Sequence, residues 1–173
     1  MEFALLLATP LLGAALLGIF GARRFAPELN ALLSAATFVA AAALTVRVIA
    51  AGNLIAFGEQ FFIDPFNVFL VTLTAFVGMT TALFSRPYMR VELEHGRVTA
   101  GRLRLYHSMY QLFTFTMLLA LTTNNMGLLW VAMEAATLST VLLVTLYRTA
   151  ASLEAGWKYF ILCGVGIAQA LFG

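Results

Sequence analysis

The chain has 173 residues, 62% of them hydrophobic and 10% charged, with a formal net charge of +2 and a mean hydropathy of +0.93. Soluble domains carry about 25% charged residues, so this composition excludes an ordinary soluble fold and points to a bilayer. The basic residues cluster between apolar runs, which leaves no footprint for nucleic acid; one cysteine and two histidines offer neither an internal disulfide nor a metal-ligand cluster.

A spanning helix needs about 20 mostly apolar residues. The first such run is Phe3 to Phe20, closed by Gly21 and the pair Arg23–Arg24. A cleaved signal peptide has its positive charges before the apolar run, whereas here they follow it and Glu2 precedes it, so a retained span is expected. The second span is Leu29 to Ala51, between Pro27 and Gly52, with Arg47 close enough to its end to snorkel. Gly52 to Asp64 mixes Phe57, Phe61 and Phe62 with Glu59 and Asp64, and reads as an interfacial loop or a short re-entrant piece.

Asp64–Pro65 opens a third span to Ser85, the acid suited to cap the helix and the proline to its first position. Arg86 to Tyr106 reads as a long polar loop with five arginines against Glu92 and Glu94. The fourth span, His107 to Thr122, is short and contains Gln111, Thr114 and Thr116, so it is expected to pack against protein more than lipid. Thr123–Asn124–Asn125 makes a tight turn into a fifth span, Met126 to Tyr147. The sixth begins near Leu153 and runs to Gly173 without a closing charge, which reads as the front of a longer protein or a truncated product. The expectation is therefore an all-α, polytopic membrane helical bundle of five to six transmembrane helices. Eight of the ten basic residues fall on one side if the N-terminus lies outside, which favours that orientation.

The chemistry is confined to a few polar groups at membrane depth. Glu134 is the only ionisable residue between Asn125 and Tyr147. A carboxylate in hydrocarbon costs roughly 2.5–3.5 kcal/mol on insertion scales, so it marks a proton or ion pathway by default. The plain alternative is a bond to a neighbouring hydroxyl, with Thr137, Ser139 and Thr140 within a turn or two. Lys158, beside Trp157 and Tyr159, reads as a snorkelling interface anchor or as a cation modulating Glu134. Depth argues against direct contact, since Glu134 is 13 residues from Tyr147, or roughly 20 Å. His107 reads as an interface residue or a proton entry point. Gln111 and the threonines are accessory candidates, although threonine in such helices usually bonds its own backbone. Cys163 reads as packing, and Gly164 and Gly166 as close-packing positions.

Two stretches carry a specific resemblance. Tyr110 through Leu138, with Asn124–Asn125 and Trp130-Val-Ala-Met-Glu134-Ala-Ala-Thr, and Leu146 through Gly173, with Gly156-Trp-Lys158-Tyr-Phe, resemble the component F branch of the hydrogenase-4 membrane proteins. That branch lies in the antiporter-like family shared by complex I, formate hydrogenlyase-type complexes and Mrp antiporters. Phe61-Phe-Ile-Asp64-Pro-Phe-Asn and Phe84-Ser-Arg-Pro-Tyr-Met89 are similar to the segment through the family's third helix. The resemblance implies a fold of about fourteen helices with two inverted five-helix repeats, the first starting at the fourth helix. It implies three leading helices with an arginine-rich cytoplasmic loop over residues 1–106, and the start of a translocation domain over 107–173. It further implies that Glu134 is a proton-pathway acid and that Lys158 corresponds to a sixth-helix lysine. The seventh-helix lysine, the broken helix and the later lysines of the family lie outside this sequence.

The resulting expectation is part of a proton-translocating membrane subunit of a hydrogenase-4 or complex I-like NADH/quinone oxidoreductase complex. It would be non-catalytic, carry no cofactor, and sit in a bacterial or archaeal cell membrane among other membrane and hydrophilic subunits. The alternatives are a structural or assembly subunit without transport, and a small oligomeric cation carrier.

Overall fold

The computed structural model describes residues 1–173. Six long helices follow one another: α1 (Glu2–Phe20), α2 (Ala26–Ala51), α3 (Pro65–Glu94), α4 (Ala100–Thr122), α5 (Met126–Val144) and α6 (Ala150–Phe172). A 3₁₀ turn, Thr145–Tyr147, links α5 to α6, and a small hairpin, β1 (Leu54–Ala56) with β2 (Phe61–Ile63), links α2 to α3. All helices except α4 are long and apolar enough to cross a membrane. The chain is thus a multi-pass helical bundle, as the composition requires.

α4 is the exception because its polar residues are directed at its neighbours. Ser108 donates to the Ala14 carbonyl of α1 at 2.8 Å. The Tyr110 hydroxyl donates to the Gly78 carbonyl of α3. Gln111 Nε2 faces three acceptors on α2: the Asn30 backbone oxygen at 3.2 Å, Asn30 Oδ1 at 2.8 Å and Ser34 Oγ at 3.0 Å. α4 also packs along α1 and α5, which makes it the central helix. Close approach to α1 uses glycine: a Cβ at Gly13 would lie 3.4 Å from Gln111, and one at Gly18 would lie 3.3 Å from Ser108 Oγ. The expected protein-facing fourth helix is thus realised, and Thr114 and Thr116 bond their own helix as expected.

The hairpin replaces the expected loop or re-entrant piece. Its turn holds Phe57, Gly58 and Glu59 at positive φ of 52°, 62° and 69°. Gly58 reaches that region without penalty, and its two neighbours are held there by what the hairpin bonds. The backbone N–H of Asn124 donates to Gln60 O at 2.7 Å. Asn124 Nδ2 donates to Glu59 O at 3.1 Å, and Asn125 Nδ2 to Gln60 Oε1 at 2.8 Å. Phe61 bridges to Thr123 and packs on Phe3 with ring centres 5.0 Å apart. Beneath lies the main apolar core, including Leu6, Leu44, Ile63, Val71 and Leu118.

The segment expected as a long loop is mostly helical, which corrects that expectation. α3 continues through Arg86 and Pro87 to Glu94, and α4 already begins at Ala100, so only residues 95–99 connect them. Local signals mark the break. Gly96, with φ 68°, ends α3: its N–H donates to Leu93 O, and that of Arg97 to Glu92 O, the bonding pattern of a glycine-terminated helix. Thr99 then caps α4 by accepting from Arg102 N. Arginine and glutamate are good helix formers, so their charge places this turn in water without ending the helices earlier. Asp64 accepts from Asn67 N at 2.7 Å and caps α3 as expected.

Asn125 ties the hairpin to the start of α5. Its Oδ1 caps α5 by accepting from Gly127 N at 2.9 Å and Leu128 N at 3.2 Å, while its Nδ2 holds the hairpin. Replacing Asn125 by Ala is expected to destabilise the bundle by about 1–2 kcal/mol. Thermal unfolding in detergent, read by circular dichroism, checks this; an unchanged midpoint would contradict the role of the clasp.

Candidate functional site

Glu134 lies eight residues into α5, about 12 Å from the Met126 end. It is half-buried. The hydroxyls that could have neutralised it are engaged elsewhere: Thr137 donates to Met133 O at 3.1 Å, Ser139 to Ala135 O at 2.8 Å and Thr140 to Ala136 O at 2.9 Å. Each returns to its own helix, the usual behaviour of short hydroxyl side chains in a helix interior. Thr137 is thus buried beside Glu134 in sequence without bonding it. Glu134 takes part in none of the ion pairs in the chain.

The acid faces α6 at Gly164, where a Cβ would stand 4.0 Å from Glu134 Oε1. That is ordinary contact, and Gly166 has nothing within 4 Å, so the close packing expected of these two glycines is not found. The tight glycine is Gly156, which no local sequence signal distinguishes. A Cβ there would lie 2.3 Å from Thr145 Cγ2, at the point where α5 meets α6. One turn from Glu134, the buried Trp130 Nε1 has no protein partner. Sequence reasoning misses it as well, because a tryptophan in an apolar helix reads as packing.

Lys158 is not brought to Glu134. It is six residues from Gly164 on α6, about 9 Å along the axis. Its ammonium pairs instead with Glu154, one turn earlier, at 2.5 Å, with side chains 70% and 65% exposed. α6 begins at Ala150 rather than near Leu153, so Lys158 sits two turns into the helix, deeper than an interface anchor one turn in. The separation of Glu134 from Lys158 agrees with the depth argument.

His107 and Gln111 lie one turn apart on α4, 1% and 0% exposed, on the side of the bundle occupied by α2 rather than at the Glu134 helix. The expected interface position of His107 is corrected: α4 begins seven residues earlier, which carries the imidazole inside. Asn30 and Ser34, the partners of Gln111, were not legible as site residues because 81 and 77 positions separate them from it. The same is true of Glu28, which pairs with Arg86 at 3.1 Å and Arg90 at 3.5 Å.

The arginine-rich end of the bundle gathers Arg23, Arg24 and Arg90 around a cleft with Pro27, Met89 and Leu103. Arg102, Arg104 and Arg148 line a second cleft at the same end. The opposite end carries the hairpin and the Arg47–Glu2 pair at 2.7 Å.

A multi-pass bundle with one unpaired mid-helix carboxyl defines a membrane protein with an ion-pathway candidate. No family model matches the chain. Over 173 residues it is 47% identical to the hydrogenase-4 component F homolog of Methylacidiphilum infernorum (isolate V4), covering 100% of this chain and 35% of that protein. Over 170 residues it is 28% identical to NADH-quinone oxidoreductase subunit N 1 of Rhizobium meliloti (strain 1021), covering 98% of this chain and 33% of that protein. The chain spans about a third of the length of the curated relatives it matches. It is similar to the hydrogenase-4 component F homolog along its whole length, and its weaker likeness to an NADH-quinone oxidoreductase subunit is consistent with the antiporter-like resemblance.

Gly156 sets how closely α6 approaches α5. The Gly156→Ala change forces a methyl onto the stiff, β-branched Thr145 and is expected to cost about 1–3 kcal/mol. Chemical denaturation in detergent measures it, and Thr145→Ser in the same chain is expected to relieve part of the loss. A Gly156→Ala chain as stable as the parent would contradict the packing described.

Proposed function

We propose that the chain is part of a proton-translocating membrane subunit of a hydrogenase-4 or complex I-like assembly, with Glu134 as its proton-exchanging acid. The observation that carries this reading is a half-buried carboxyl in the middle of a membrane-length apolar helix, unpaired and facing a glycine. Burial favours the neutral acid and an approaching cation favours the carboxylate, so such a group gains and loses a proton when its surroundings change. The relatives' names support the assembly type. In this reading redox chemistry resides in partner subunits, and the chain binds no cofactor of its own.

Lys158 is the modulating cation. Its pairing with Glu154 supplies an alternative partner for its charge, so its influence on Glu134 depends on whether that pair is closed or open. His107, Gln111 and Thr137 are accessory groups of the pathway. The concentration of arginine at one end of the bundle supports a cytoplasmic location for that end, and hence an outside N-terminus in a prokaryotic cell membrane.

In inverted vesicles carrying the assembled complex, Glu134→Gln is expected to lower proton uptake at least tenfold while the protein still assembles. Undiminished uptake would refute the assignment, and a loss confined to assembly would favour a structural role instead. Lys158→Ala separates transport from stability. An exposed i,i+4 pair contributes only about 0.3–0.5 kcal/mol, so the unfolding midpoint is expected to hold nearly steady while proton uptake slows. Unchanged uptake would remove Lys158 from the pathway.

A further inference from the structure

Seven buried side-chain polar atoms in the chain lack a protein partner, and six of them belong to one region. They are Glu28 Oε2 and Asn30 Nδ2 on α2, Arg86 Nε on α3, and both imidazole nitrogens of His107 and Gln111 Oε1 on α4. The residues are linked in pairs. Arg86 bonds Glu28 at 3.1 Å, Gln111 bonds Asn30 at 2.8 Å, and His107 lies one turn from Gln111 on the same helix face. A buried donor or acceptor left unmet costs as much as a lost hydrogen bond, and native interiors rarely tolerate several together.

The six atoms form a balanced set. Asn30 Nδ2 and Arg86 Nε donate, Glu28 Oε2 and Gln111 Oε1 accept, and a neutral imidazole adds one of each. Water, with two donors and two acceptors, matches such a set, and buried water characteristically makes about three bonds to otherwise unmet groups. A bare cation fits poorly, because Arg86 and Arg90 already surround Glu28. The entrance and the blind end differ in exposure. The Glu28 and Arg86 side chains are 43% and 37% exposed, at the arginine-rich end of the bundle, whereas Gln111 is fully buried against Gly13.

We infer that α2, α3 and α4 enclose a chain of ordered water that enters at Glu28–Arg86, passes His107 and ends at Gln111–Asn30. It gives His107 proton exchange with the arginine-rich side. The inference stands apart from the reading of Glu134: a Glu134→Gln chain keeps the water chain intact.

Solid-state NMR on the full chain in phospholipid bilayers, with ¹⁵N-histidine, ¹⁵N-glutamine and ¹³C-leucine, tests it by polarisation transfer from water. The chain has two histidines, so His95, exposed at the α3–α4 turn, is the wet reference and buried Leu118 the dry one. The expected result is a His107 imidazole build-up within about threefold of His95 and at least tenfold faster than the Leu118 methyls. Build-up no faster than Leu118 would overturn the proposal. The His107→Phe chain adds a second reading. It is expected to unfold at lower temperature and to slow water transfer to the Gln111 side-chain amide. A His107→Phe chain as stable as the parent or more so would indicate a dry site and would equally overturn it.

Discussion

At bilayer depth there is no solvent to complete a hydrogen bond, so each polar side chain must find its partner within the helices. α4 expresses this constraint most fully. It carries too many polar residues to qualify as a membrane span by hydropathy, yet Ser108, Tyr110 and Gln111 reach α1, α3 and α2 in turn. The same groups that make α4 a poor lipid neighbour make it the hub of the bundle. Bonds of this kind contribute modestly one by one, about 0.6 kcal/mol on average within membranes. Their larger effect is to fix which face of each helix meets which neighbour.

Against that background Glu134 is conspicuous. The hydroxyls around it satisfy their own backbone, and the single lysine of the chain, Lys158 on α6, is paired elsewhere. A helix built only for stability would replace such a carboxyl with leucine or glutamine. The hairpin bears on the acid from a distance. Through Asn124 and Asn125 it holds the Met126 end of α5, so the depth and rotation of the Glu134 helix are set by contacts more than two turns away. Gly156 and Thr145 fix the other end.

Much of the fold was legible because apolar runs of membrane length have few alternatives. The spans, the Asp64 cap, the Asn124–Asn125 turn and the protein-facing character of α4 all follow from local sequence. The long arginine-rich segment is misjudged when charge is taken as a sign of loop, because charge specifies exposure and not the absence of helix. Gly96 and Thr99 mark the true break. The hairpin escapes because its strands are three residues each and are held by residues sixty positions away. Glu134 stands out by its isolation, a local property. The Glu28–Arg86 and Gln111–Asn30 pairs do not, because each joins segments that only the folded bundle brings together.

The reading of Glu134 requires a single unpaired carboxyl held inside the helical bundle at membrane depth. Site-directed spin labelling tests it most directly. With Cys163→Ser as background, a label at Glu134→Cys in phospholipid bilayers is compared with labels at Gln60→Cys in the hairpin and Arg148→Cys at the arginine-rich end. A water-soluble nickel relaxant is expected to reach position 134 far less readily than either reference. Equal accessibility at 134 and at the hairpin would place the carboxyl in open solvent and contradict it.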